Sequence, residues 1–187
     1  MRAVPLTVAA LAAALLLTAC GGGDDSGSGS DESKSAETAG AAESAGPNGT
    51  TCAAGDLGQE VGPVNAAPAA GDSGNVTVTL TNKGEECILE GFPKIELQAG
   101  DSSATVANDA AAEAQALTLP AQGTATFTIT YVRGEDGGDK SLAVKTVQYG
   151  VPNASATQSF AWSYGDVALK STDVADATVS AFQQAGD

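Results

Sequence analysis

The chain contains no histidine. That absence excludes Ser-His-Asp and Cys-His nucleophilic arrangements, because each needs an imidazole base, and it removes histidine-bearing zinc and iron sites. Aromatic residues make up only 4% of the 187 residues, which leaves little for the stacking platforms that carbohydrate sites lean on. Basic residues are few as well: 8 Lys and Arg stand against 23 Asp and Glu, a net charge of -15. A surface this acidic repels nucleic acid and anionic lipid headgroups and favours solubility. The six basic residues after Thr51 are scattered, so no basic footprint for nucleic acid exists. No Gly-x-Ser-x-Gly elbow and no phosphate-cradling loop ahead of a Lys-Ser/Thr pair occurs. Three cysteines are too few for a structural zinc site in a chain without histidine.

Long hydrophobic runs are also missing. The one apolar stretch, Ala3 to Leu17, falls short of the roughly 20 residues of a membrane-spanning helix. Arg2 before it and Leu17-Thr18-Ala19-Cys20 at its end give it the form of a removable lipoprotein signal over residues 1–19. An ordinary secretory signal with an incidental Cys20 is the alternative. In the lipoprotein reading Cys20 carries the lipid and ties the mature protein to the extracytoplasmic face of the cell membrane. A single acyl chain holds a protein only marginally, whereas two or more anchor it stably.

Residues 20–51 are Gly, Ser, Ala and acid, a composition that cannot bury enough apolar surface to fold. They read as a disordered tether with an end-to-end distance of roughly 30 Å. Three Asn-x-Ser/Thr sequons, at Asn48, Asn75 and Asn153, read as chance occurrences. With Cys20 lipidated, Cys52 and Cys87 remain as a pair in an oxidising compartment, which favours a disulfide over two buried thiols.

Residues 52–187 have the composition of one folded domain. Val76, Val78 and Leu80 alternate with Thr77, Thr79 and Thr81, and Ala125, Phe127, Ile129 and Tyr131 alternate with Thr124, Thr126, Thr128 and Thr130. Such alternation marks half-buried strands. Further strands are expected near Leu57 to Val64, Cys87 to Leu89, Lys94 to Gln98, Gln115 to Leu119, Leu142 to Val151, Ser159 to Trp162 and Val167 to Leu169. Frequent turn residues between them indicate an all-β antiparallel β-sandwich. Ala107 to Ala116 reads as a loop with at most one helical turn, and Thr172 to Gln184 fits a strand or a short helix.

The string Asn82-x-Gly84-x-x-Cys87-x-Leu89-x-Gly91-Phe92-Pro93, preceded by Cys52 and followed by Leu117-Thr118-Leu119-Pro120-x-x-Gly123, resembles a family of secreted and lipid-anchored actinobacterial proteins. Val151-Pro152-Asn153 and Phe160-Ala161-Trp162 are similar to its later part, while a further cysteine common there is absent here. The shared domain has no known function. The resemblance implies an Ig-like sandwich with Cys52 bonded to Cys87, and it carries over no catalytic or ligand-binding residue.

Chemistry in the folded part is left to carboxylates. Seventeen lie between Thr51 and Asp187, so a pair at glycosidase spacing arises by chance and a solvated surface explains them. Glu135-Asp136-Gly137-Gly138-Asp139 offers oxygen ligands for Ca²⁺, but its spacing is not that of an EF-hand and an acidic turn accounts for it equally. Phe160, Trp162 and Tyr164 share one face of a strand, either as core with Trp162 near the disulfide or as an exposed partner-binding strip. The expected inventory therefore holds no catalytic residue, no metal and no cofactor. The favoured reading is a lipid-anchored domain that presents a surface to an unidentified envelope protein or ligand. A small-ligand or cation carrier and an acid-residue hydrolase are the alternatives.

Overall fold

The computed structural model describes residues 49–185. The expected signal over residues 1–19, Cys20 and nearly all of the expected tether therefore lie outside the described residues. What is described is all-β, as the alternation predicts. After one 3-10 turn, Ala54–Asp56, come β1 (Leu57–Asn65), β2 (Ser73–Asn82), β3 (Cys87–Glu90), β4 (Lys94–Ala99), β5 (Ser102–Asn108) and β6 (Ala116–Leu119). They are followed by β7 (Thr124–Val132), β8 (Ser141–Leu142), β9 (Thr146–Gly150), β10 (Thr157–Ala161), β11 (Val167–Ser171), β12 (Val174–Val179) and β13 (Gln183–Gln184).

Period-2 patterning decides which way each strand faces. In β2 every second residue from Gly74 to Asn82 is buried, and in β7 Ala125, Phe127, Ile129 and Tyr131 are buried with no exposure at all. The intervening threonines pair across the two strands, Thr77 with Thr128, Thr79 with Thr126 and Thr81 with Thr124. The Thr77 and Thr128 hydroxyls meet at 3.1 Å. β-Branched side chains suit a pleated, half-covered surface, and such cross-strand pairs each add a fraction of a kcal/mol.

Hydrogen bonding runs along one path, β1-β2-β7-β12-β5-β4-β9-β10, with β11, β8 and β13 attached beside it. β3 and β6 form a separate two-stranded sheet. All pairs are antiparallel except β5 with β12. That parallel contact departs from a wholly antiparallel sandwich. It is possible because the whole second half of the domain separates the two strands, which gives the long connection that parallel pairing requires.

The path nearly closes on itself, and side chains complete it. Gln59 of β1 donates to the Ser159 carbonyl of β10 at 2.7 Å. Gln158 of β10 donates to the Leu57 carbonyl at 2.8 Å and also to that of Ala54. The Tyr149 hydroxyl donates to Gln158 Oε1 at 2.9 Å and so orients the amide. Unpaired strand edges invite association with other chains, and this seam satisfies part of both edges internally.

One stretch differs from its expected form, and one open alternative is decided. Leu142 to Val151 is broken into β8 and β9, because the Val144 amide bonds back to the Leu142 carbonyl in a tight turn. Thr172 to Gln184 resolves as strand, with Ala175, Ala177 and Val179 alternately buried in β12.

Tyr149 gives the seam a pH dependence. Burial pushes its phenol up from the ordinary value of 10.0, since the charged form loses hydration. The folded state keeps this proton where the unfolded chain has lost it, so stability is full below about pH 10 and falls as pH rises further. Urea midpoints measured across alkaline pH should decline in this way, and Tyr149→Phe should make the decline shallower. An unchanged slope in the variant would remove Tyr149 from the account.

Candidate functional site

The string from Asn82 to Pro93, together with Cys52 and Leu119, gathers at one end of the domain around Asn82. Its side chain has no exposure, and it is the one buried polar residue outside the aromatics among those described. Nδ2 donates to the carbonyls of Glu85 at 2.7 Å, Leu119 at 3.0 Å and Pro120 at 3.2 Å. Oδ1 accepts the Gly84 amide at 2.9 Å. The Asn82 backbone binds Gly123 and Gln122. One residue thereby joins the end of β2, the turn into β3, the end of β6 and the start of β7.

The rest of the string serves the same junction. Gly84 passes so close to Asp56 that a Cβ there would lie 3.3 Å from the Asp56 Cβ. Cys87 bonds to Cys52 with an S–S distance of 2.03 Å and a Cα separation of 4.9 Å, so the disulfide expectation holds. Leu89 and Pro93 are buried. Gly91 adopts a φ of +91°, in the left-handed region where L side chains are disfavoured, and its carbonyl accepts the Phe182 amide. Beside the bond, Thr51 forms a parallel bridge to Ile88, which brings the incoming chain against β3. Asn82, Gly84, Cys87, Leu89, Gly91 and Pro93 of the string are thus taken up in packing or backbone geometry.

Trp162 is core. It is 5% exposed, stacks edge-on against Tyr131 and Tyr164 at 4.9 and 4.8 Å, and donates its indole N–H to the Gly165 carbonyl. Phe160 is buried beside Tyr149. The exposed aromatic strip is thus not formed. The expected neighbourhood with the disulfide is also corrected. Trp162 packs at the Tyr131 end of β7, whereas Asn82, Leu119 and Cys87 gather at its Thr124 end, roughly 20 Å of strand away.

The Glu135 to Asp139 turn is tied into the protein by its own contacts. Asp136 lies 3.6 Å from Arg133, and the Gly137 amide donates to Asp166 at 2.9 Å. Arg133 in turn donates to the carbonyls of Ala67 and Pro68. Among the described residues no group of three or more Cys, Asp or Glu is arranged to hold a metal ion. A shallow cavity of about 330 Å³ next to the disulfide is lined by Asp56, Glu85 and Glu86 and shows no such convergence. None of the described helical segments is long and apolar enough to cross a membrane.

Both parts of the junction can be weighed. Asn82→Ala would leave the buried carbonyl of Leu119 and the partly buried carbonyl of Glu85 without their donor, and should cost about 1–3 kcal/mol of unfolding free energy. The bond closes a loop of 35 residues, so replacing both Cys52 and Cys87 with Ala should cost about 3–4 kcal/mol. Urea denaturation checks both values. A loss below 1 kcal/mol at Asn82 would show that water replaces its bonds.

A family model described as a domain of unknown function (DUF4232) matches residues 52–183, and the chain belongs to that family. No curated protein matches the chain.

Proposed function

We propose that this protein is a non-catalytic lipoprotein of the actinobacterial type, anchored through Cys20 to the extracytoplasmic face of the cell membrane. Its β-sandwich is then presented for interaction with an envelope protein or ligand. The observation that carries this reading is how three cysteines divide. Cys52 and Cys87 are joined, a state that belongs to an oxidising compartment, and Cys20 is left alone where the apolar run ends. A thiol in that position, after Leu17-Thr18-Ala19, is what a lipoprotein signal peptidase would take as the first mature residue.

The fold adds support by elimination. Asn82, Cys87, Gly91 and Trp162, the residues with the most distinctive sequence context, all serve the architecture. The carboxylates left over are spread across the surface of a chain that has no imidazole. A rigid, acidic domain on a polar tether suits a part that is held away from the membrane rather than pressed against anionic headgroups.

Cell fractionation tests the anchor. The wild-type chain should partition with membranes, and Cys20→Ala should move it to the soluble or secreted fraction. Mass spectrometry of the wild-type amino terminus should find a diacylglyceryl-modified Cys20. A variant that stays with membranes, or an unmodified wild-type terminus, would overturn the reading.

A further inference from the structure

β6 is hydrogen-bonded to β3 and to no other strand among the described residues. The direction of its remaining groups follows from Ile88. The Ile88 amide donates to the Thr50 carbonyl at 2.9 Å, and its carbonyl accepts the Cys52 amide at 3.0 Å. Both point away from β6, so Thr118, which lies opposite Ile88, is a non-hydrogen-bonded partner. By alternation the N–H and C=O groups of Thr118 and Ala116 face outward along an open edge.

β13 turns a second edge toward the same place. The Ala185 amide donates to the Thr124 carbonyl at 3.2 Å, and Gln183 stands opposite Thr126. Gln184, between them in the chain, therefore directs its N–H and C=O away from β7. Between the two edges lies a groove of about 470 Å³, lined by Glu113, Gln115, Leu117, Phe182, Gln183 and Gln184. Phe182 is buried and Leu117 half-buried, which gives the groove an apolar floor. Its margins are tied down. The Phe182 amide donates to the Gly91 carbonyl at 3.2 Å, and the Asp109 amide to the Val179 carbonyl at 2.9 Å. An extended segment entering this gap gains main-chain partners from edges already in place, so little ordering cost opposes it.

Charge selects the occupant. Glu113 lines the groove, and Glu90 stands opposite Ala116 one strand away. Both are exposed, and neither has an ion-pair partner among the described residues. No Lys or Arg lines the groove. A second copy of the chain, with its net charge of -15, would be repelled. Residues 20–48 carry six Asp and Glu against one Lys, which sets them aside as well. Side chains alternate across a strand, so a segment with apolar residues toward Leu117 and Phe182 places the intervening ones on the side of Glu90. Lys or Arg suits that side.

We propose that the gap between β6 and β13 takes up, as an added strand, an extended segment of a partner protein in which Lys or Arg alternates with apolar residues. The inference rests on the reading of the domain as one presented to an envelope protein. Fractionation reports on the anchor and peptide binding on the edge, so either can fail alone. Titration of the full chain with acetyl-Val-Lys-Val-Lys-Val-amide, followed by amide shifts, provides the test. The peptide should saturate and move the amides of residues 115–119 and 182–185 most. Methylating its backbone nitrogens should weaken binding about tenfold or more, and so should replacing both lysines with glutamate. Thr118→Pro removes an outward N–H without touching the β3 ladder and should also bind about tenfold more weakly. Thr118→Val keeps that N–H and should bind within about threefold of wild type. If the proline variant does not fold, the methylated peptide makes the same comparison on the native chain. Equal binding of the glutamate peptide would overturn the charge requirement. Equal binding of the methylated peptide, or shifts centred elsewhere, would overturn strand addition. The same amides shifting on dilution without peptide would assign the gap to a second copy, and their shifting on deletion of residues 21–48 to the chain's own leading segment; each result would overturn the proposal, as would no saturation.

Discussion

A buried carboxamide has two hydrogens and one oxygen to satisfy, and at Asn82 every one of them is spent on main chain. Four segments that are distant in sequence end within reach of that group. Without it, the Leu119 carbonyl would be left unpaired where water does not reach, at a cost of about 1–3 kcal/mol, and the partners nearer the surface would lose their common anchor. Directionality matters here as much as energy. Apolar burial of Leu89 and Leu119 pulls β3 and β6 toward the core but does not fix their register. The amide contacts do, because only one placement of the Leu119 carbonyl meets Nδ2. The disulfide then makes that placement permanent by joining Cys87 to a residue 35 positions earlier.

A second constraint acts where the two ends of the sheet path meet, next to the same junction, since Leu57 pairs with Asn82. Backbone pairing stops at β1 and β10, and a sheet with two open margins is prone to recruit further strands. Gln59 and Gln158 meet this with side chains in place of a ladder. The solution keeps β1 and β10 close without demanding the register match that full closure into a barrel imposes. It also lets the β1 strand carry an irregularity between Val61 and Val64 that a strict ladder on both sides would resist.

Legibility in the sequence followed the size of the buried side chains. β2 and β7 declare themselves because large apolar residues alternate with threonine over their length. β5 is silent by the same rule: only Ala104 and Val106 are buried in it, and neither stands out among Ser, Thr and Asn. β12 gives an ambiguous signal because Ala175 and Ala177 suit a helix as well as a strand, and its pairing with β7 and β5 decides the matter. The cysteine pairing was open to arithmetic. The role of Asn82 was not: the alternation of Val76, Val78 and Leu80 carries it to the buried face, but its partners in space, Leu119 and Pro120, come nearly forty residues later.

The bridge from Thr51 to Ile88 and the bond at Cys52 stand at the point where the chain enters the domain. Tension drawn through the preceding residues arrives there first. Were Cys52 held by hydrogen bonds alone, a steady pull would peel the first strand from its neighbour one contact at a time. The covalent link instead diverts the load path into β3, past the weakest contacts, so that the hydrophobic interior bears force as a unit. A domain wired in this way takes load at its entry point as one rigid bead.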